Sequence, residues 1–305
     1  MPNTYQLMHT YCYELQKSIC NSFDSINQQV CKVDIWDRPG GGGGRSCVYE
    51  RGDIFEKAGV NVSAIHGVLR GQEKLLFEQL LNQQGRGQTL DEGQPFKVVG
   101  ISLVCHPINP FVPIVHMNYR YFELEGTPLF WFGGGTDLTP VYLNEPDVTS
   151  FHSIYKGACD SFDRGYYPQF KSEADTYFYL PHRRECRGVG GIFFDYLYDD
   201  SGLFDFVKIC GESFLPAYLP LIDQHSHEFY DDDHQLWQSV RRSRYVEFNL
   251  IYDRGTLFGL KTNGRIESIL MSMPPSARWI YSYSPQSGSE EEKLQSVLMS
   301  PRDWV

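Results

Sequence analysis

The stretch that most constrains the fold is Arg244 to Pro275, RYVEFNLIYDRGTLFGLKTNGRIESILMSMPP. Taken with a two-residue period, Val246, Phe248, Leu250 and Tyr252 fall on one face of an extended segment. Tyr245, Glu247, Asn249, Ile251 and Asp253 fall on the other. Asp253-Arg254-Gly255-Thr256 supplies turn chemistry before a second strand, Leu257 to Lys261. Asn263-Gly264 is a hairpin-type pair, and Ile266 to Met271 completes a third strand. The pattern predicts an antiparallel meander with Glu247, Asn249 and Asp253 on its polar face. An acid beside an arginine at a strand end is also what a solvated terminus looks like, so the chemistry has to be argued from the rest of the chain.

At 305 residues the chain can bury a large core. No internal repeat, low-complexity linker or composition break divides it, which predicts one domain over residues 1–305. The expected class is α+β, a large and mainly antiparallel β-sheet flanked by helices on both faces. Aromatic residues make up 15%, enough to line a cleft for a flat ligand, although Tyr and Phe also fill sheet cores. No apolar run is long enough for a membrane span. The N-terminus has no basic cap, no signal-type apolar core and no arginine before Arg38, which predicts a cytoplasmic chain. A net charge of −11 argues against a nucleic-acid surface and makes any local group of arginines informative. The eight cysteines are scattered with no pair at two-residue separation, so they read as reduced and mostly core rather than as a zinc ribbon.

Along the chain, Leu7, Tyr11, Leu15, Ile19, Phe23, Ile26 and Val30 recur at helical spacing. Five glycines follow, Gly40 to Gly44, without the Gly-Lys-Ser/Thr of a phosphate loop; a flexible lid or a backbone that approaches a ligand closely are the two readings left. Residues 72–83 read as a surface helix. Val99 to Cys105 alternates, the connection INPFVP turns the chain, and IVHMNYRYFEL returns. In the returning strand His116, Asn118 and Arg120 share one face, with Val115, Met117, Tyr119 and Tyr121 on the other. In this register His106 could lie across the hairpin from His116, although a one-residue slip would reverse it. Three polar side chains in a row also suit a solvent-facing strand, yet an imidazole, an amide and a guanidinium together suit binding and protonating a carboxylate. LFWF is read as a strand that ends in turn chemistry at Gly133 to Asp137. Helical spacing from Val148 to Phe162 puts His152 on the apolar side, as a core histidine. His182, Arg183, Arg184 and Arg187 lie within six residues and imply an anionic partner or a buried ion-pair network. Ile192 to Leu197 reads as a strand and Leu203 to His225 as helix. Arg241, Arg242 and Arg244 are placed at the end of a helix beginning near Asp233. Ser287 to Glu290 reads as the start of a last short helix.

Several long segments resemble, in order, those of the oxygen-dependent coproporphyrinogen III oxidase family. They are VYERGDIFEKAGVNVSAIHG (48–67), WFGGGTDLTP (131–140), HRRECRGVGGIFFD (182–195) and the Arg244 to Pro275 stretch, within a match from about Gly40 to the final PRDWV. One departure stands out: where the family usually has Lys-x-Trp-Cys, this chain has Lys171-Ser172-Glu173-Ala174, which weakens any catalytic role for a cysteine there. The resemblance implies an enzyme of haem biosynthesis that oxidatively decarboxylates two propionates of coproporphyrinogen III to vinyl groups, giving protoporphyrinogen IX, with O2 as oxidant. It further implies a homodimer, with the Arg244 to Pro275 stretch at the dimer contact. Catalytic roles would fall to His116 as proton donor, and to Asp253 and Arg254, acting on a pyrrole N–H and the adjacent propionate. Substrate contacts would come from Ser102, Asn118, Tyr119, Arg120, Asn263, Gly264 and Arg265, with Arg187 a further partner. No redox cofactor is required on this view, O2 being a co-substrate. A divalent metal held by His106, His116, His152 and His182, as suggested for bacterial relatives, is the less favoured reading. A non-catalytic tetrapyrrole-binding protein and an anion-binding structural dimer are the alternatives from other functional classes.

Overall fold

The computed structural model describes residues 3–83, 85–87, 89–198, 202–261 and 264–305. Its centre is a seven-stranded sheet in the order β1-β2-β3-β4-β5-β6-β9, every neighbouring pair antiparallel. The strands are β1 (Lys32–Asp37), β2 (Gly42–Glu50), β3 (Phe55–Leu69), β4 (Gln94–Pro107), β5 (Ile114–Leu124), β6 (Phe130–Thr139) and β9 (Gly190–Leu197). A small hairpin, β7 (Tyr179–Leu180) and β8 (Glu185–Cys186), stands apart from it.

Alternation along β4 and β5 decides which side of the sheet is core. Val99, Ile101, Leu103 and Cys105 join Val115, Met117, Tyr119 and Tyr121 in the main apolar cluster. Against that face pack α1 (Thr4–Ile26), α3 (Glu145–Asp160), α5 (Leu203–Glu212) and α6 (Phe214–His225). The α1 helix begins at Asn3, whose side chain accepts from Gln6 N–H while Gln6 returns a bond to the Asn3 backbone. Leu203 to His225 is therefore two helices rather than one. On the other face, α2 (Gly71–Gln83) covers a second apolar cluster that includes Phe77, Phe122 and Trp131. Helices α7 (Asp232–Ile251), α8 (Arg254–Lys261) and α9 (Ile266–Leu270) lie on the same side. The α+β architecture with helices on both faces is thus as expected. No helix among the described residues is long and apolar enough to cross a membrane.

Three expectations are corrected here. The meander at Arg244 to Pro275 is absent: its first and second strands are the end of α7 and all of α8, and its third is α9. The residues that turn inward are Arg241, Tyr245 and Phe248, three or four apart, while Leu250 and Ile251 stay exposed; the operative period is that of a helix. It follows that Arg241, Arg242 and Arg244 are mid-helix and bond to Glu185, Glu56 and Glu247 rather than ending a helix. The Gly133 to Asp137 turn is in fact the interior of β6, which runs through to Thr139.

The five-glycine run forms neither a lid nor a ligand-facing loop. Gly42, Gly43 and Gly44 are paired with β3 inside β2. A Cβ on Gly44 would stand 2.4 Å from the Trp36 ring and 2.4 Å from the Val62 carbonyl oxygen, so the bare backbone makes room for its neighbours. Gly44→Val should therefore destabilise the protein by about 1–3 kcal/mol, the usual range for overpacking. Urea denaturation checks this; an unchanged midpoint would mean that the segment is a mobile loop after all.

Candidate active site

The register lines up a polar band across the second face of the sheet. Asp34, Ser46, Asn61, Ser102, Asn118, Gly135 and Phe193 are successive partners on the seven strands. Arg120 and Gly133 lie in the neighbouring row on one side, His116 and Asp137 on the other. The sheet thus brings Ser102, His116, Asn118 and Arg120 onto one surface, as the alternation predicts. His106 shares that face, but Val104, not His106, is the partner of His116.

His116 and Asp137 are cross-strand partners, and His116 Nδ1 lies 2.8 Å from Asp137 Oδ1. Burial by itself would raise the Asp137 carboxyl, but the Arg187 guanidinium and His116 hold it below the usual range. An ionised Asp137 accepts, so His116 donates from Nδ1 and keeps Nε2 for other work. Arg187 donates from Nη2 to Asp137 Oδ2 at 2.7 Å and from Nη1 to Asn249 Oδ1 at 2.8 Å. Its guanidinium carbon is 4.3, 4.4 and 4.8 Å from the ring centroids of Phe178, Tyr245 and Phe248. With 2% of its side chain exposed, Arg187, expected as a substrate contact, spends its terminal donors on Asp137 and Asn249 inside the protein.

Towards β9 the site opens. Arg120 Nη2 is 2.7 Å from Asp195 Oδ2, and Arg254 Nη2 is 3.7 Å from the same oxygen. The pair passes over Gly133, where a Cβ would stand 2.6 Å from Asp195 Oδ1 and 3.0 Å from Arg120 Nη2. Arg254, 52% exposed at its side chain, lies over the Tyr177 ring, which stacks on Phe193 with centroids 4.0 Å apart. Tyr177, Phe193, Tyr252 and Arg254 line an open depression of about 480 Å³. Asp253 stands just before α8 and caps it: Oδ2 accepts from Thr256 N–H at 2.9 Å and from Thr256 Oγ1 at 2.7 Å. Oδ1 accepts from Tyr177 Oη at 2.7 Å. Burial opposes its charge, but the bonds from Tyr177 and Thr256 win and hold the carboxyl below its ordinary value, with His116 adding to the effect.

Other expected site residues go elsewhere. Tyr119 is buried on the opposite face, its hydroxyl 2.8 Å from Thr136 Oγ1, so its side chain cannot meet a ligand in this band. Arg265 is at the far edge, paired with Asp34 on β1 and 5.7 Å from the Trp36 centroid. Gly264 packs under α8 and α9, against Gly259 and Ile269, and Asn263 lies outside the described residues. The four histidines do not converge. His106 Nε2 is 2.9 Å from the Ser272 carbonyl oxygen; His152 is buried on the core side between Tyr167 and the Val189 carbonyl; His182 meets Tyr252 and Glu247. With His116 on Asp137, each has its own partner, and the four do not gather their ring nitrogens into one group among the described residues.

The basic cluster at 182–187 proves to be the ion-pair network. Glu247 receives Arg183 at 2.6 and 2.9 Å, His182 at 2.7 Å and Trp279 Nε1 at 2.8 Å. Ala174, at the end of the departing Lys171 segment, is buried against Phe178, Leu180 and Phe248, so that position packs rather than reacts. Asp195, Tyr177 and Thr256 had not been singled out. The signals were there, in the alternation Gly191, Phe193, Asp195 and in the helix-start pattern Asp-x-x-Thr.

A histidine–carboxylate pair on the sheet thus stands beside two arginines that share one carboxylate and beside an aromatic-lined depression, a combination of the kind enzyme sites use to hold anions. Residues 7–304 match the family model described as coproporphyrinogen III oxidase. The chain is 49% identical over 300 residues to coproporphyrinogen-III oxidase 1, chloroplastic, of Arabidopsis thaliana, covering 95% of this chain and 76% of that one. It is 49% identical over 308 residues to the oxygen-dependent coproporphyrinogen-III oxidase of Drosophila melanogaster, covering 98% and 77%. To the mitochondrial enzyme of Homo sapiens it is 47% identical over 308 residues, covering 98% and 66%. The chain belongs to the coproporphyrinogen III oxidase family. The cytoplasmic assignment drawn from the N-terminus is overturned by these comparisons, in which relatives are named as chloroplastic or mitochondrial.

Two outcomes follow from this geometry. Arg187→Met should cost about 3–5 kcal/mol, because it leaves Asp137 buried with the His116 hydrogen bond but without its guanidinium; denaturant titration measures it, and a loss below about 1 kcal/mol would deny the pair its role. Glu247 is pulled from 4.5 to about 2, against burial, by Arg183, His182 and Trp279. A depressed carboxyl contributes stability that is present above its unfolded value and lost as pH falls towards its folded one. The acid-induced decline in wild-type stability between pH 4.5 and about 2 should accordingly flatten in Glu247→Gln.

Proposed function

We propose that this chain catalyses the oxidative decarboxylation of two propionates of coproporphyrinogen III to vinyl groups, giving protoporphyrinogen IX in haem biosynthesis, with O2 as oxidant. The observation that carries this reading is the placement of Asp253 and Arg254 beside the Arg120–Asp195 pair, on the face that also presents His116. Each propionate, –CH2–CH2–COO⁻, becomes –CH=CH2 with release of CO2, one proton and two electrons, the electrons passing to O2. Arg254 and Arg120 suit the carboxylates, each presenting a planar fork of donors at the open end of the site. Asp253 is ionised at neutral pH, being held below its ordinary value, and so suits accepting a pyrrole N–H. A fixed negative charge there stabilises the positive charge that grows on the ring as electrons leave. The low value makes Asp253 a stronger electrostatic partner than proton acceptor, and His116 Nε2 is the group suited to moving a proton. Tyr177 and Phe193 offer an aromatic wall to the macrocycle.

Ser102 and Asn118 complete the floor in this reading, and no redox cofactor takes part. The reading includes a homodimer. Leu250, Ile251, Phe258, Leu260 and Ile266, all exposed on α7 to α9, are apolar side chains that such a contact could cover.

Assaying coproporphyrinogen conversion under air and under nitrogen tests the activity: vinyl product is expected only with O2, and a mere tetrapyrrole binder would give none in either gas. Asp253→Asn should keep the fold, since Asn caps a helix as well as Asp. It should also retain substrate affinity while turnover drops on the order of 100-fold or more. Wild-type turnover in that variant would remove Asp253 from the mechanism.

A further inference from the structure

Behind the polar band, on the core side of the sheet, three thiols converge. Cys20 comes from α1, Cys31 from the link into β1, and Cys47 from β2, and their sulfurs all lie within 4.8 Å of one another. Among the described residues this is the one such group of three or more His, Cys, Asp or Glu ligand atoms. Cys47 alternates with Ser46, whose hydroxyl is on the catalytic side, so the cluster and the polar band are on opposite faces of the same strand.

Three sulfurs bound to one tetrahedral d10 ion, at about 2.3 Å each, stand about 3.8 Å apart. The cluster needs only a small contraction to reach that arrangement. Two of the thiols are buried and Cys31 is half-buried. The protein also holds the ligands in place: Asp24 Oδ1 accepts from the Cys31 N–H at 3.1 Å and from Tyr49 Oη at 2.6 Å, and Tyr49 Oη lies 3.1 Å from the Cys20 carbonyl oxygen. Carboxylate and hydroxyl together fix the backbone of two of the three ligands, as outer-shell groups do in metal sites.

We propose that Cys20, Cys31 and Cys47 form a thiolate site for a soft d10 ion, Zn2+ or Cu+, that fastens α1 to the β1–β2 edge of the sheet. The thiols deprotonate on binding, each giving one sulfur-to-metal bond and releasing its proton, with no change in oxidation state. Cu+ is content with three thiolates, whereas Zn2+ would take a fourth ligand from solvent beside Cys31.

The experiment uses the full chain, reduced and stripped of metal, titrated separately with Zn2+ and with Cu+ in competition with chromophoric chelators. One ion per chain is expected for at least one of the two, and Co2+ substitution should show thiolate-to-cobalt charge-transfer absorption. Cys31→Ser should weaken binding by at least about 100-fold, above the cost of losing an outer-shell partner. Coproporphyrinogen turnover should be unchanged in that variant, because none of the three thiols borders the catalytic face. Cys31 is half-buried, so its replacement tests the site even if Cys20→Ser does not fold. Stoichiometric binding that survives Cys31→Ser, absence of binding by either ion, or a disulfide between two of the three found by mass spectrometry of freshly reduced protein would each overturn the proposal.

Discussion

The buried contact between Arg187 and Asp137 is what the catalytic face depends on. Both groups are almost entirely out of water, so their desolvation has to be offset inside the protein: both Asp137 oxygens and both terminal Arg187 nitrogens are hydrogen-bonded, and Arg187 Nε alone has no partner. Asp137 spends one oxygen on Arg187 and the other on His116, so the imidazole is oriented by the same charge that anchors the guanidinium. Arg187 in turn holds Asn249, near the end of α7, and is enclosed by Phe178, Tyr245 and Phe248. The end of α7 fixes where Asp253 and α8 begin. One ion pair thereby ties the sheet to the helix that delivers the second acid, and both members of the acid–base set inherit their positions from it.

Much of this was legible in the residues. The alternation in IVHMNYRYFEL gave β5 with its bounds intact and put His116, Asn118 and Arg120 on one face, because a strand with one buried side specifies its register strongly. The α1 helix and the core role of His152 were legible for the same reason, a long apolar stripe of fixed period. The failure at Arg244 to Asp253 is equally physical. Over ten residues, Val246, Phe248, Leu250 and Tyr252 satisfy a period of two, and Tyr245, Phe248 and Tyr252 satisfy a helical one. Burial of Arg241 and Glu247 in ion pairs hid the apolar contrast that would have separated them. Asp-Arg-Gly-Thr was likewise ambiguous, being a turn signature and a helix cap at once.

Spatial groupings were the part no pattern could supply. Asp195 reaches Arg120 only because β9 pairs with β6 after a long excursion through α3 and α4. Cys20, Cys31 and Cys47 are separated by 11 and 16 positions and share no ligand spacing, yet the β1–β2 hairpin folds them together. Arg187 was singled out for the right chemistry and the wrong surface: a guanidinium in an acidic chain does imply an anion, and here the anion is the protein's own.

Asp195 has one more consequence. It already sits between Arg120 and Arg254, as a built-in anion in the place where an incoming propionate would be expected to bind. Capture of a carboxylate there is therefore an exchange of one anion for another, and its net strength is the small difference between two similar contacts. Once decarboxylation has removed the guest charge, the resident one can close the gap again. On the proposed reading, such a site would let go of its vinyl product without leaving two arginines bare.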